Sequence, residues 1–361
     1  MIVARRGVAG RPQGRQCESR GGVPRQREAA LASLAGLALA AVVALAAWGI
    51  GHAWPLLGAA VAAIVLGVLV RALFAPGPRF DPGIRFTGRK VLQWSIVGLG
   101  FGLDLGEVAR TGLESLGVML GTLAIAFASA WALGRWLKVP GKLTVLVGVG
   151  TAICGGSAIA AVAPIIRPQE HETAFAISTI FLFNLVAVLL FPALGHLMQL
   201  SDAGFGLWAG TAINDTSSVV AAGYAYSAAA GDYATIVKLT RATMIVPICL
   251  VLAALVAWRG DRGGEAAATP RPGLGSVFPW FILWFLVASA LRTAGLVPAA
   301  WLPGLHVAAV ALMVLALAAI GLSADLRKMR AAGARPILLG LGVWAAVAIG
   351  SLALQLAGGQ A

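Results

Sequence analysis

Long apolar stretches, separated by short polar links, fill almost the whole chain after residue 28. A helix needs about 20 apolar residues to cross the ~30 Å hydrocarbon core of a bilayer. Eleven stretches come close to this length, and each predicts a transmembrane helix. They lie near residues 30–50, 55–74, 88–103, 115–134, 143–166, 173–195, 205–228, 233–258, 277–293, 304–323 and 336–357. The pattern predicts an all-α polytopic membrane protein with a transmembrane domain over residues 29–361.

The polar links differ in charge, and the basic ones alternate with the others. Lys and Arg cluster in the links 75–90, 135–142, 259–275 and 324–335, whereas the links between them are sparse or acidic. The weakly charged link 196–204 is the exception to this alternation. Because basic loops stay on the cytoplasmic side, the N-terminus is predicted inside and the C-terminus outside.

The composition excludes a soluble protein. Hydrophobic residues make up 59% of the chain and charged residues 11%, and the mean hydropathy is +0.88. Soluble domains carry about 25% charged residues to solvate their surface. No Walker loop, metal-ligand spacing or nucleophile–base arrangement occurs, so we expect no enzyme activity, cofactor or metal. The three Cys are too scattered for a disulfide framework or a zinc site.

The N-terminal residues 1–28 have a different character. They hold seven Arg and two Glu and contribute to the formal net charge of +13. With few apolar residues to bury, they predict a disordered basic tail on the cytoplasmic side. The tail has no interleaved aromatic residues, so it does not indicate a nucleic-acid partner.

Two pairs of segments resemble each other within the chain. GLGFGLDLGEVARTG, from Gly98, is similar to AIGLSADLRKMRAAG, from Ala319, and it aligns Asp104 with Asp325. The charge pattern gives the two segments opposite orientations, which is typical of the inverted repeats of secondary transporters. Chance similarity between Gly- and Leu-rich helix ends is the alternative.

The second pair is sharper and lies in the middle of two predicted spans. GTAICGGSAIAA begins at Gly150, and GTAINDTSSVVAA begins at Gly210. Paired Gly in the first, and Asn, Asp, Ser and Thr in the second, predict broken helices whose second halves start inside the membrane. Such helix starts suit an anion, and broken backbone survives at that depth where it lines a cavity. A single crossing between the breaks would give them the same direction rather than an inverted one.

Ionisable side chains near the second break extend this candidate site. Lys238 and Arg241 are three residues apart, and therefore on one helix face, and Asp215 lies in the break. In one interpretation, Asp215 neutralises the two cations. In the other, the cations belong to an anion site, and Asp215 either positions them or carries a proton. Asn184, in the span between the breaks, either polarises that helix or serves packing. The candidate substrate-binding residues are Gly150, Thr151, Cys154, Gly155, Gly156, Ser157, Asn214, Asp215, Thr216, Ser217, Ser218, Lys238 and Arg241.

The runs GTAICGGSAIAAVAPII from Gly150, NDTSSVVAAG from Asn214 and KLTRATMIVP from Lys238 resemble the YeiH-type family of bacterial membrane proteins, labelled as sulfate exporters. The resemblance covers about residues 30–357. It implies a bacterial inner-membrane protein of ten or eleven helices, distantly similar to bile-acid symporters and sodium/proton antiporters with crossed broken helices.

These observations together predict a secondary transporter that exports a small anion, such as sulfate or an organosulfonate, coupled to protons or sodium. Two other functions stay open: a cation/proton antiporter with Asp215 as proton carrier, and a membrane sensor or scaffold without a transport cycle. The expected partners are the anion, a coupling ion, the lipid bilayer and a second copy in a homodimer.

Overall fold

The structure, a computed structural model, describes residues 22–53, 58–260, 279–324 and 333–360, and all regular elements in these ranges are helical. The α-helices are α1 (Gly22–Ala53), α2 (Gly58–Phe74), α3 (Asp81–Phe86), α4 (Leu92–Gly100), α5 (Leu105–Trp136), α6 (Gly141–Ala152), α7 (Gly156–Ile166), α8 (Glu170–Leu197), α9 (Asp202–Ala212), α10 (Thr216–Tyr226), α11 (Ala228–Thr243), α12 (Ile245–Gly260), α13 (Trp280–Thr293), α14 (Leu302–Ser323) and α15 (Ala334–Gly358). The all-α prediction is confirmed.

The helices fit a polytopic membrane protein. Within the described ranges, six helical stretches are long and apolar enough to cross a bilayer, and shorter apolar helices accompany them. Helix α1 begins at Gly22, inside the predicted tail, because the Arg, Gln, Glu and Ala that precede its apolar part are good helix formers. Residues 1–21 of that tail lie outside the described residues.

Helices α6 and α7 form the first of two hairpins. The Nζ of Lys142, at the start of α6, donates to the backbone oxygen of Arg167, just after α7, at 2.7 Å. In one straight helix these residues would be about 38 Å apart at ~1.5 Å per residue. The chain therefore turns back at residues 153–155, and both arms, each about 17 Å long, end at the same face of the bundle.

Helices α9 and α10 form the second hairpin in the same way. The Ser227 hydroxyl, after α10, donates to the carboxylate of Asp202, at the start of α9, at 2.6 Å. The rings of Phe205 and Tyr226 stack with their centroids 4.0 Å apart. The chain therefore turns back at residues 213–215 and leaves where it entered.

The two hairpins enter the bundle from opposite ends. Helix α8, 28 residues long, starts beside the base of the first hairpin and ends beside the base of the second. Helices α11 and α12 then return in the opposite direction. Helix α11 packs against α9 and α10, and α12 packs against α7. Because one crossing, α8, separates the two hairpins, the hairpins enter from opposite faces and are inverted relative to each other. Two continuous broken spans separated by one crossing would instead run in the same direction.

This geometry changes the predicted topology in one respect. All eleven predicted segments contain helix, but two of them, near 143–166 and 205–228, enter and leave at one end. Hydropathy could not distinguish these hairpins from crossings, because both are apolar over about 24 residues. The other similar pair is only partly visible: Asp104 caps the start of α5 through the Gly106 amide at 2.7 Å, whereas Asp325 lies outside the described residues.

The helices pack into two bodies by their mutual contacts, and the two large buried clusters each extend across the boundary between these bodies. The hairpin body consists of α5–α12 and α15, and the scaffold body consists of α1–α4, α13 and α14. In the scaffold body, α2 and α14 approach so closely that a Cβ added at Gly67 would lie 2.5 Å from the Ala318 oxygen. The two bodies meet chiefly where α2 packs against α10.

The hairpins predict the sidedness of four exposed positions, tested with single cysteines in a background without the native Cys. We expect Lys138→Cys and Glu170→Cys to react with an impermeant maleimide from one face, and Gln199→Cys and Ala229→Cys from the other. Continuous crossings would instead pair 138 with 199 and 170 with 229. Labelling of intact cells and of inverted vesicles distinguishes the two patterns, and the second pattern would contradict the hairpins.

Candidate functional site

The tips of the two hairpins touch each other inside the hairpin body. The first tip is Ile153–Gly155 and the second is Ile213–Asp215. Gly155 has φ +67°, a left-handed conformation that favours glycine. A Cβ at Gly155 would lie 3.3 Å from the Cβ of Asp215. The predicted interruption and mutual approach of these two segments are confirmed.

Lys238 on α11 joins the two tips. Its Nζ donates to the backbone oxygen of Ile153 at 2.9 Å and to that of Ile213 at 2.9 Å. The side chain is fully buried. A single ammonium group therefore holds one carbonyl from each hairpin.

Arg241, one turn further along α11, binds the adjacent carbonyls. Its Nε donates to Ala152 O at 2.5 Å, its Nη2 donates to Thr151 O at 2.7 Å, and its Nη1 donates to Thr211 O. These oxygens belong to the last turns of α6 and α9, where carbonyls lack intrahelical partners and carry the negative end of the helix dipole. Helix ends, rather than a carboxylate, compensate this buried charge.

Asp215 has a different task. Its carboxylate accepts from the Ser217 amide at 3.1 Å and from the Ser217 hydroxyl, so it caps the start of α10. Its own backbone N–H donates to Asn184 Oδ1 on α8 at 3.2 Å. Within the described residues, Asp215 forms no ion pair with Lys238 or Arg241. One of the two interpretations from the sequence was that Asp215 neutralises the cations directly. The structure does not show this ion pair among the described residues.

The start of α7 lacks such a cap. Gly155 occupies the capping position and provides no side-chain acceptor for the first turn. The first-turn N–H groups of α7 therefore point toward the tips without a partner from their own helix. The formal side-chain charges at the tips are two positive and one negative, and the helix-end carbonyls compensate the two cations in part.

The other predicted site residues lie in α6, around the first tip and in the first turn of α10. Gly150 serves packing, because a Cβ there would lie 3.0 Å from Ile159 Cδ1. Ser157 is exposed on the first turn of α7, next to Gly156, and Cys154 is buried in the first tip. Thr216, Ser217 and Ser218 form the first turn of α10.

Two predicted residues carry buried polar atoms without a partner. Both side-chain atoms of Asn214, in the second tip, and the hydroxyl of Thr151 make no hydrogen bond within the described residues. Leaving such a group unpaired costs about 1–3 kcal/mol. Asn214 lies in the second tip, whereas Thr151 lies in the last turn of α6, just before the first tip. No cluster of three or more His, Cys, Asp or Glu suited to a metal occurs in the ranges the structure describes.

Asn184 contributes more than its sequence context indicated. It supports the second tip through the Asp215 backbone and also lines a cavity between the two bodies, together with Ser218. From its sequence context alone, Asn184 is a minor candidate. One feature of the sequence does point to Asn184: it is an amide in a long apolar segment that lies between the two broken segments.

Comparison with known proteins identifies the family. The family model described as conserved hypothetical protein 698 matches residues 35–340. The chain belongs to this family. Relatives include a UPF0324 membrane protein from Streptococcus pyogenes serotype M18, 44% identical over 333 residues, which cover 90% of this chain and 97% of the relative. Another from Fusobacterium nucleatum is 38% identical over 343 residues, covering 89% and 97%. The match confirms the resemblance to YeiH-type proteins, and both relatives are named as membrane proteins.

The contacts of Arg241 predict that it is essential for stability. Arg241→Gln leaves buried carbonyls of both hairpins unpaired, so we expect the free energy of unfolding to fall by about 3–5 kcal/mol. Arg241→Lys keeps the charge but not the three-way contact and should be intermediate. Reversible unfolding in detergent micelles measures both.

The matched control is Arg110→Gln, because Arg110 on α5 is 78% exposed. It should unfold like the parent protein. If Arg241→Gln unfolded like the control and only lost anion affinity, the guanidinium would be a direct ligand rather than the clamp between the hairpins.

Proposed function

We propose that this protein is a secondary transporter that binds a small anion where the hairpin tips face the scaffold body. The observation that carries the proposal is the meeting of two inverted hairpins, tip to tip, inside the hairpin body. Irregular backbone at membrane depth is tolerated only where it is buried in protein or lines a cavity. Paired interrupted segments of opposite direction are a recurrent way to build a substrate site in secondary transporters.

The charge at the tips supports an anionic substrate. Lys238 and Arg241 bring two positive charges to the tips, and Asp215 brings one negative charge. Because Lys238 and Arg241 already hold five backbone oxygens, they act by positioning the tips and by their field. Direct contacts come from Asn214, from the start of α7 and from the first turn of α10.

The two-body construction supports alternating access. At one end the bodies are in contact, since a Cβ on Gly58 of α2 would lie 3.5 Å from Ala225 of α10. Further along α2, a small cavity lies between the bodies beside Asn184 and Ser218. A movement of the hairpin body along α2 and α14 would close this cavity. The same movement would separate the two bodies at the other end of their interface, where α2 now contacts α10.

The charge of the links supports an orientation with the N-terminus in the cytoplasm of a bacterium. With two hairpins, the links that carry Arg79, Lys138 and Arg335 all fall on one side. The weakly charged link before Asp202, an exception under eleven crossings, falls on the other. If two of the eleven predicted segments are hairpins, nine segments cross the membrane. The basic links then alternate more regularly than they do with eleven crossings.

The transport proposal is tested with purified protein in proteoliposomes. We expect sulfate or a short alkylsulfonate to exchange across the membrane, and Asn214→Ala to lower the rate by tenfold or more while Arg110→Gln retains it. Sodium and pH gradients identify the coupling ion.

Two results would replace the proposal. Flux of a cation against protons, abolished by Asp215→Asn, would indicate an antiporter. Ligand-induced thermal stabilisation without any flux would indicate a sensor.

Orientation has its own test. Fusions at Ala361 should make a periplasmic alkaline phosphatase active and leave a fluorescent protein that folds only in the cytoplasm dark. The reverse pattern would contradict a C-terminus outside and, with it, the assignment of basic links to the cytoplasm.

A further inference from the structure

The carbonyl oxygens at the ends of α6 and α9 are, by their chemistry, ligands for a cation. Both helices stop inside the protein, where their last carbonyls have no partner in the same helix and carry the negative end of the helix dipole. In secondary transporters built from broken helices, such half-helix C-terminal ends and unwound carbonyls coordinate the coupling Na⁺ or H⁺. Sodium is therefore the ion whose fit to these oxygens decides how transport is coupled.

The protein's own side chains occupy these oxygens. Lys238 and Arg241 are both fully buried, and together they donate to five of the carbonyls. The Nζ of Lys238 lies 2.9 Å from Ile153 O and 2.9 Å from Ile213 O, and so at equal distance from the two helix ends. Arg241 takes the oxygens that precede them along the two helices, which are those of Thr151, Ala152 and Thr211.

A sodium ion does not fit beside these two cations. Each carbonyl oxygen has a second lone pair, but a sodium ion there would lie a few Å from a fixed positive charge. In an interior of low dielectric constant, like charges at that distance repel strongly. Asp215 is the only acidic residue of the two tips, and its carboxylate already caps α10. The partnerless oxygens, Asn214 Oδ1 and Thr151 Oγ1, are neutral and do not offset the repulsion.

We propose that Lys238 and Arg241 are built-in replacements for coupling cations, so that anion transport by this protein runs without sodium. The consequence for transport rests on the proposed function, whereas the replacement of the cations is a property of the folded chain alone. Lys238 is the residue that excludes a free cation. Without its ammonium group, Ile153 O and Ile213 O become a site for a small monovalent cation.

The first test measures the melting temperature (Tm) of the parent protein in detergent. The buffer contains sodium, potassium or choline chloride at one ionic strength, and we expect the same Tm in each. A sodium site filled at about ten times its dissociation constant would raise Tm by roughly 3 °C. A saturable rise of this size that is specific to sodium would overturn the proposal. This measurement needs no variant, so it decides the proposal even where a variant does not fold.

Lys238→Ala tests the assignment to one residue. We expect a lower Tm than that of the parent protein in choline, because two carbonyls lose their donor, and a recovery of roughly 3 °C in ammonium or sodium. Lys142→Ala is the matched control, since it also removes an ammonium that donates to a backbone oxygen, that of Arg167 at 2.7 Å, but at an exposed site. Its Tm should be the same in every buffer. A folded Lys238→Ala protein that responded to no small cation would contradict the proposal.

Failure of the proposed function has a different signature. The Tm reports on the cation, whereas anion flux in proteoliposomes reports on transport. An equal Tm in every buffer without anion flux would contradict transport and retain the replacement of the cations. Anion flux that stopped when choline replaced sodium on both sides would retain transport and overturn the present inference.

Discussion

The architecture of the site depends on two buried cations that hold helix ends together. Removing a charge from water costs several kcal/mol even after relaxation, so Lys238 and Arg241 would be untenable in the core without strong acceptors. The last turns of α6 and α9 provide them, since their carbonyls have no intrahelical partner and bear partial negative charge. The cations in turn remove the repulsion between two helix C-terminal ends in a medium without water. Neither hairpin could end where it does without α11.

This arrangement also explains the small residues of the second hairpin. Cβ atoms added at Gly206 and Gly210 would lie 2.8 Å and 2.7 Å from the Cβ atoms of Tyr233 and Val237. Glycine therefore lets α9 lie directly against α11, with both helices running in one direction. That close approach brings Ile213 O and Thr211 O within reach of Lys238 and Arg241.

Because helix ends satisfy the cations, other polar groups stay available. Among the described residues, Asp215 caps α10 instead of pairing with a cation, no side chain caps the start of α7, and the Asn214 amide has no hydrogen-bond partner. These groups lie at or next to the two hairpin tips, which contact each other at Gly155 and Asp215. A packed core normally pairs such groups, so their concentration at one place is the physical basis for a substrate site there.

Local patterns were enough to predict much of this molecule. Apolar length determined that the chain is helical and polytopic, and paired Gly or N-cap residues determined where the helices break, because both effects depend on a few neighbouring residues. The spacing of Lys238 and Arg241 placed them on one face, as the structure has them.

Tertiary structure decided what these elements do. A hairpin and a crossing have the same hydropathy, so only the contact between Lys142 and Arg167 reveals that the first broken segment turns back. The acceptors of Lys238 and Arg241 are backbone oxygens from two distant segments, and backbone atoms leave no trace in side-chain sequence. The part played by Asn184 likewise arises from the position of the Asp215 amide and of α2, which no local pattern of α8 encodes.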